Sequence, residues 1–566
     1  MSAVATDSRQ SLSARTADRR LWRSALVLLI ILECAPFWIF PYFPSQDGPS
    51  HLHNASVLAH YGTTQIYQQY YRIVPFTPAG NMLTQFLLAA IVKVAEPFLA
   101  EKLLLSSYII LFFVSFLYLL RGLTPHADHF AVWAGIFAPN WFVYMGFWNF
   151  SFSVAFLLLT VGYYVRQVWG NHSERRWTPR QLIVLMSAGL IIYMTHAVSW
   201  VVCIIAVASL GFPKLMSTVL SRGTSSFVRS ARRAAPYWLL PICALLLPVV
   251  LVVANAARSH EISVCSGQSF PFRDRLWLVY SLSFLHTLGG SDVALSKVVA
   301  MVVFMGLTWA AAVTLWHRQY NWHSAAILGL SLTCVIIAVA GPDCVGTGSF
   351  VRLRVALFAW LFLIGWLASA LPKWPRWALN GLSGCCCGIA LITLVSRVPM
   401  VAELNEGLSD IVKIGESVRP NSTVLVLCLG RQKRDVDPFR HLAGLLTPRA
   451  IVDLNNYEAS LEYFSTRFQT DRSPYPALGT MRELEEAPPV FDITRYEKET
   501  AGRVDYVLFY CSNDSGGAGM KLLQSELYRR QIAGYALVRA SHSRSVGDLR
   551  LYGRSPAGVG ERTGAQ

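Results

Sequence analysis

The chain has 566 residues, 54% hydrophobic and 14% charged, with a formal net charge of +16. That balance excludes an ordinary soluble protein and specifies a multi-span membrane protein. The basic excess does not signal nucleic acid, because it sits in short loops between hydrophobic segments, where it sets orientation.

At the N-terminus a basic leader with Arg9, Arg15, Arg19, Arg20 and Arg23 precedes an apolar stretch, Leu21 to Phe40, interrupted by Glu33. Without a small-residue cleavage pattern this reads as a retained anchor with a cytoplasmic N-terminus. Glu33 reads as a packing or snorkelling residue, with a cavity-facing residue as the alternative. Just past the anchor, Phe43-Pro44-Ser45-Gln46-Asp47-Gly48-Pro49-Ser50-His51-Leu52-His53-Asn54-Ala55 sets an acid and two histidines on the outer side. A carboxylate at the mouth of a membrane protein does chemistry or holds an ion. The same outer loop, 42–100, includes Asn81 to Leu99, whose Lys93, Glu96 and Pro97 make it a half-inserted helix and not a crossing.

Basic clusters at Arg166, Arg175, Arg176 and Arg180, at Lys214, Arg222, Arg229, Arg232 and Arg233, at Arg318, and at Lys373 with Arg376 are assigned to the inner side. Crossings then run over 21–41, 102–120, 129–140, 149–166, 181–194, 197–212, 236–255, 293–316, 323–340, 355–371 and 377–397. Several are short for a bilayer of about 30 Å. An odd count sends the C-terminus outside. The same side receives the aromatic stretch 140–149, read as an interfacial belt around Trp141 and Trp148. It also receives the turn at His196, the loop 255–292, and the segment 341–354 with Asp343, Arg352 and Arg354.

Beyond Arg397 the composition becomes that of a soluble domain. Strand-like runs at 422–429, 505–510, 535–540 and 549–552, with a helical pattern over 521–532, predict a small α/β domain. The chain thus divides into a leader 1–20, a transmembrane domain 21–398, an extracytoplasmic domain 399–554 and a disordered tail 555–566. No internal repeat is visible. Cys428 and Cys511 end two strands that pair readily in one sheet, which predicts a disulfide; Cys265 with Cys344 is a second candidate pair, and free thiols throughout are the alternative.

A long acid-bearing first outer loop, outward loops with His and Arg, and a soluble C-terminal domain resemble the GT-C type membrane glycosyltransferases. These use polyprenyl-phosphate-linked sugars and include the dolichyl-phosphate-mannose and aminoarabinose transferases and the oligosaccharyltransferase catalytic subunits. The resemblance is architectural over residues 20–400, and its sharp local element is Gln46-Asp47-Gly48-Pro49-Ser50-His51. It implies an α-helical polytopic fold of about eleven spans in the plasma membrane, with Asp47 as the catalytic carboxylate. It also implies a polyprenyl-phosphate-linked sugar as donor and a glycan, lipid or protein acceptor.

Chemistry agrees with these roles. An acceptor hydroxyl or amine needs a base as its bond to the anomeric carbon forms, and Asp47 supplies one. The departing phosphate needs positive charge, which Arg352 and Arg354 offer, with Gly346 and Gly348 allowing close backbone approach. The alternative for either arginine is an interface anchor that snorkels. His51, one helical turn after Asp47, orients the carboxylate or shares the substrate, or else serves the helix start. His196, at membrane depth, is a substrate-binding candidate or an interhelical hydrogen-bonding group. Asp343 is a second acid or a turn residue. One departure stands out: many GT-C enzymes carry a second acid in the next outer loop, where this chain has Asn149. Transfer is therefore expected without a divalent metal or other cofactor. A degenerate GT-C-fold scaffold and a lipid-linked-sugar transporter remain as alternatives, the latter supported only by Glu33 inside a span.

Overall fold

The computed structural model describes residues 2–555 except 78, 170–176, 221–237, 259–270, 317–321, 346–347, 371–374, 431–434, 486 and 512–517. Arg175, Arg176, Arg222, Arg229, Arg232, Arg233, Arg318, Lys373, Gly346, Cys265 and nearly all of the expected tail lie outside the described residues. Among the described residues eight helices are long and apolar enough to cross a membrane. They are Asp18–Ile39, Pro97–Leu123, Trp148–Trp169, Trp238–Asn255, Ser291–Val313, Trp322–Ala340, Val351–Ala370 and Arg376–Gly415. Shorter apolar helices at Pro179–Thr195 and Ala197–Pro213 match two more expected crossings. Leu83–Val92 is a ten-residue helix too short to span, as expected for the half-inserted segment.

The expected crossing at 129–140 is not one helix. It breaks into Ala127–Phe130, a 3₁₀ turn Ala131–Trp133, and Ala134–Phe137. Asp128 at its start pairs with Arg23 and Arg121 beside the basic leader, and Tyr144 beyond its end accepts a hydrogen bond from the Gln46 amide, so the segment still runs from the Arg23 end of the first helix to the Gln46 loop beyond its other end. Broken backbone at membrane depth survives only when buried in protein. Here residues 127–138 are all buried. Carbonyls released by the breaks are taken up by Ser383 Oγ on His129, Tyr108 OH on Ala138 and Arg397 on Pro139.

The last span continues as one 40-residue helix, Arg376–Gly415, which carries the chain out to a five-stranded sheet ordered β3-β2-β5-β7-β6. Its strands are β2 (Thr423–Gly430), β3 (Val452–Asp453), β5 (Tyr506–Cys511), β6 (Tyr535–Ser543) and β7 (Gly547–Arg554). Central β2 is apolar and almost wholly buried, lies parallel to β3 and β5, and is covered on both faces, as parallel strands require. β2 pairs Cys428 with Tyr510 and Gly430 with Cys511. Successive side chains of a strand face opposite ways, so Cys428 packs toward the membrane domain and Cys511 into the other core, and the expected disulfide between them does not form.

The C-terminal domain is not a detached cover. β1 (Tyr71–Ile73), from the first loop, pairs antiparallel with β4 (Thr466–Phe468), from the C-terminal domain. Val57, Ile66, Tyr67, Tyr70 and Tyr71 of the loop share one hydrophobic core with Leu425, Leu427, Val507 and Phe509 of the sheet. The loop holding Asp47 is thus folded between the helices and the sheet.

Candidate functional site

Asp47 stands at the N-cap of helix Gly48–His60, yet its side chain makes no capping bond. Its position is set by backbone pairing: Gln46 N donates to Tyr144 O at 2.9 Å and Asp47 N to Met145 O at 3.0 Å. Such close approach needs Gly146, whose φ is +85° and whose added Cβ would lie 2.6 Å from Gly48 N. The carboxylate is buried. Its Oδ1 accepts from Gln46 Nε2 at 3.3 Å and faces His441 Nε2 at 3.4 Å, while Oδ2 makes no hydrogen bond among the described residues. Burial alone would raise its pKa, but the His441 hydrogen bond and the nearby His441, His51 and Arg440 charges hold it below the ordinary value. A carboxylate fixed through one oxygen and open at the other can accept a proton from a bound group.

His51 neither caps the helix nor faces open space. Its Nδ1 lies 2.8 Å from Glu458 Oε1, and the Gly146 backbone lies near enough to favour the charged ring. Burial pulls its pKa down, but Glu458, Asp47 and the Gly146 backbone outweigh it and hold the ring protonated above its ordinary range. Glu458 comes from the 3₁₀ turn after β3 and is fully buried; it also accepts from Asn54 Nδ2 at 2.6 Å and Tyr457 OH at 3.4 Å. Tyr457 stacks on His441 with ring centroids 4.8 Å apart. His53, two residues further along the helix, bridges Thr447 and Tyr71; burial pushes it down to about 3 and leaves it neutral.

A second cluster lies beside the first. Arg354 is buried with its guanidinium 5.0 Å from the Phe147 ring and 5.4 Å from the Phe150 ring, and its Nε has no hydrogen-bond partner among the described residues. His196 packs edge-on to Phe150 at 5.2 Å, and Asp343 lies close enough to act on the Arg354 charge. Tyr463 joins the clusters: burial, then Glu458 and Asp47, raise its pKa, while Arg354 opposes them.

The predicted residues divide accordingly. Asp47 and His51 come together, as do Arg354, His196 and Asp343. Arg352 diverges, because positions two apart on a helix do not share a face, and its Nε donates to Gly341 O at 2.8 Å. The 140–149 stretch is no lipid-facing belt but the buried wall of the site, with Trp148 against His51 and Trp141 against Phe350. Glu33 does not snorkel; it is 4% exposed and lines a small pocket with Arg397 and Tyr144. Asn149 is spent on structure, accepting from Thr84 N and donating to Asn81 O at 3.0 Å each. His441, Tyr457, Glu458 and Tyr463 were not identified by sequence reasoning. The polar run Asn455-Asn456-Tyr457-Glu458 was the one signal for them. Among the described residues no three His, Cys, Asp or Glu side chains converge to hold a metal ion.

No family model matches the chain, and no curated protein matches its sequence. Among solved structures it is similar to ArnT from Cupriavidus metallidurans in the apo state, at 10% identity and a TM-score of 0.50, over 95% of this chain and 98% of that one. ArnT from the same organism bound to undecaprenyl phosphate aligns at 9% identity and a TM-score of 0.47, over 97% and 100% of the two chains. The likeness at 10% identity establishes the fold, which is the GT-C-like membrane architecture expected from the sequence.

Proposed function

We propose that this protein is a membrane glycosyltransferase that moves a sugar from a polyprenyl-phosphate carrier to an acceptor on the face bearing the C-terminal domain. Asp47 is its general base. The observation carrying this reading is the Asp47 carboxylate, buried and ionised, held on Oδ1 by Gln46 and His441 and without a hydrogen bond on Oδ2. In the reaction Oδ2 takes the proton of the acceptor hydroxyl or amine as that group bonds to the anomeric carbon. The bond from that carbon to the phosphate oxygen breaks, and its electron pair leaves with the carrier phosphate.

Arg354 meets that charge. A buried guanidinium with an unsatisfied N–H is costly unless a ligand supplies the acceptor, and a phosphate does so with charge-assisted bonds. His196 and Asp343 flank Arg354 and are assigned to donor binding with it. Tyr463, electrostatically linked to both clusters, is assigned to the space between them. The GT-C-like fold is consistent with a donor reaching such a site from the membrane. The test is transfer of radiolabelled sugar by purified protein from a panel of polyprenyl-phosphate donors. Turnover with any donor supports the reading; donor binding without turnover points to the degenerate scaffold, and neither binding nor turnover refutes both.

A further inference from the structure

The second carboxylate of this site comes from the far end of the chain. Glu458 cannot serve as a base, because its two oxygens are already occupied by His51, Tyr457 and Asn54. What it does hold is His51, whose ring packs against Trp148 and lies beside the Gly146 backbone. Gly146 closes the backbone turn against which residues 46 and 47 are paired. Only the imidazolium forms an ion pair with the Glu458 carboxylate at this 2.8 Å contact, and the Gly146 backbone favours the same protonated ring. Loss of that proton releases one end of the clamp.

We propose that Glu458 is a positioning residue of the transfer reaction: through His51 and the Gly146 turn it fixes the orientation of Asp47, so that the catalytic geometry is complete only with the C-terminal domain docked. This rests on the reading of Asp47 as the base. The groups facing His51 are Asp47 on its own helix, Glu458 and Tyr457 on the turn after β3, the Gly146 backbone, and the Trp148 ring. His441, Arg440 and Tyr463 lie in the surrounding shell around Asp47. Of these only Glu458 combines an anionic charge with a direct bond to the ring. Asn54 and Asn456 brace it, with Asn456 Nδ2 donating to Asn54 Oδ1 at 2.7 Å.

The test compares the full-length protein with Glu458→Gln and His51→Gln. Rates of sugar transfer are followed across pH, and the His51 ring is titrated by NMR in histidine-labelled protein. Glu458→Gln preserves shape but removes charge; the expected result is a kcat at least tenfold lower with the donor KM unchanged. The upper limb of its pH profile moves down by about one to three pH units, as expected for loss of an adjacent opposite charge. The His51 titration moves down with it, and in His51→Gln that limb disappears. A Glu458→Gln profile that overlays the unsubstituted one, or a rate loss equal at every pH with His51 titrating as before, overturns the proposal. Absence of transfer by the unsubstituted protein refutes the parent reading instead, and the NMR titration then shows separately whether the clamp exists.

Discussion

Asp47 occupies a helix N-cap without capping it, which frees its carboxylate for other chemistry. Arg354, the residue proposed for the donor side, is buried and not saturated by protein acceptors. Replacing Arg354 with Ala removes charge-assisted bonds to the phosphate, worth about 1.5–3 kcal/mol, so the donor KM rises by about 10- to 100-fold. Steady-state kinetics against donor concentration check this, and an unchanged KM contradicts the assignment. Asp47 was legible in the sequence because an acid beside Gly-Pro after an apolar span has few structural uses. Arg354 was legible only as one of two arginines, since separating it from Arg352 requires knowing which helical face meets Phe147 and Phe150. His441 and Glu458 were not legible, because their roles depend on contacts with residues some four hundred positions away.

At the level of elements, two joints hold the site together. The first is the pairing of residues 46 and 47 with 144 and 145, which depends on the positive φ of Gly146. Gly146→Ala forces a side chain into that approach at a cost of about 1–3 kcal/mol, and activity falls with it, while a substitution at Gly62, which has open space around it, leaves both unchanged. Thermal unfolding and transfer rate on the same preparations check the pair. The second joint is His53, between Thr447 of the C-terminal domain and Tyr71 of the first loop. Its folded pKa of about 3 lies below the unfolded value, so stability is fully present above about pH 6.5 and is lost as pH falls toward 3. Between about pH 7 and pH 4.5 this residue removes roughly 2–3 kcal/mol, and His53→Gln flattens the dependence. Denaturant unfolding at the two pH values measures it; equal pH sensitivity in the variant contradicts the buried neutral assignment. The spans were legible from apolar length, and four of the five strands of the sheet from their apolar runs; the two-residue β3 was not. The broken crossing 127–137 and the β1–β4 joint were not, because both are stabilised by tertiary burial and not by local propensity.

For the molecule as a whole, the helical domain and the sheet domain are joined into one folded body. The first loop lies between them, contributing a strand to one and the Asp47 helix to the other. Residues distant in sequence therefore converge on one carboxylate, from the first loop, the aromatic stretch and the C-terminal domain. The charge pattern places the unusual polar residues on one side of the membrane; in the fold, residue 46 is hydrogen-bonded to residue 144 and residue 82 to residue 194. The decisive measurement is single-turnover transfer of labelled sugar by the purified protein and by Asp47→Asn, with donor affinity measured on both. Loss of a general base lowers the rate by about 100- to 10,000-fold, and donor binding is expected to stay intact. Equal rates in the two proteins would contradict Asp47 as the base.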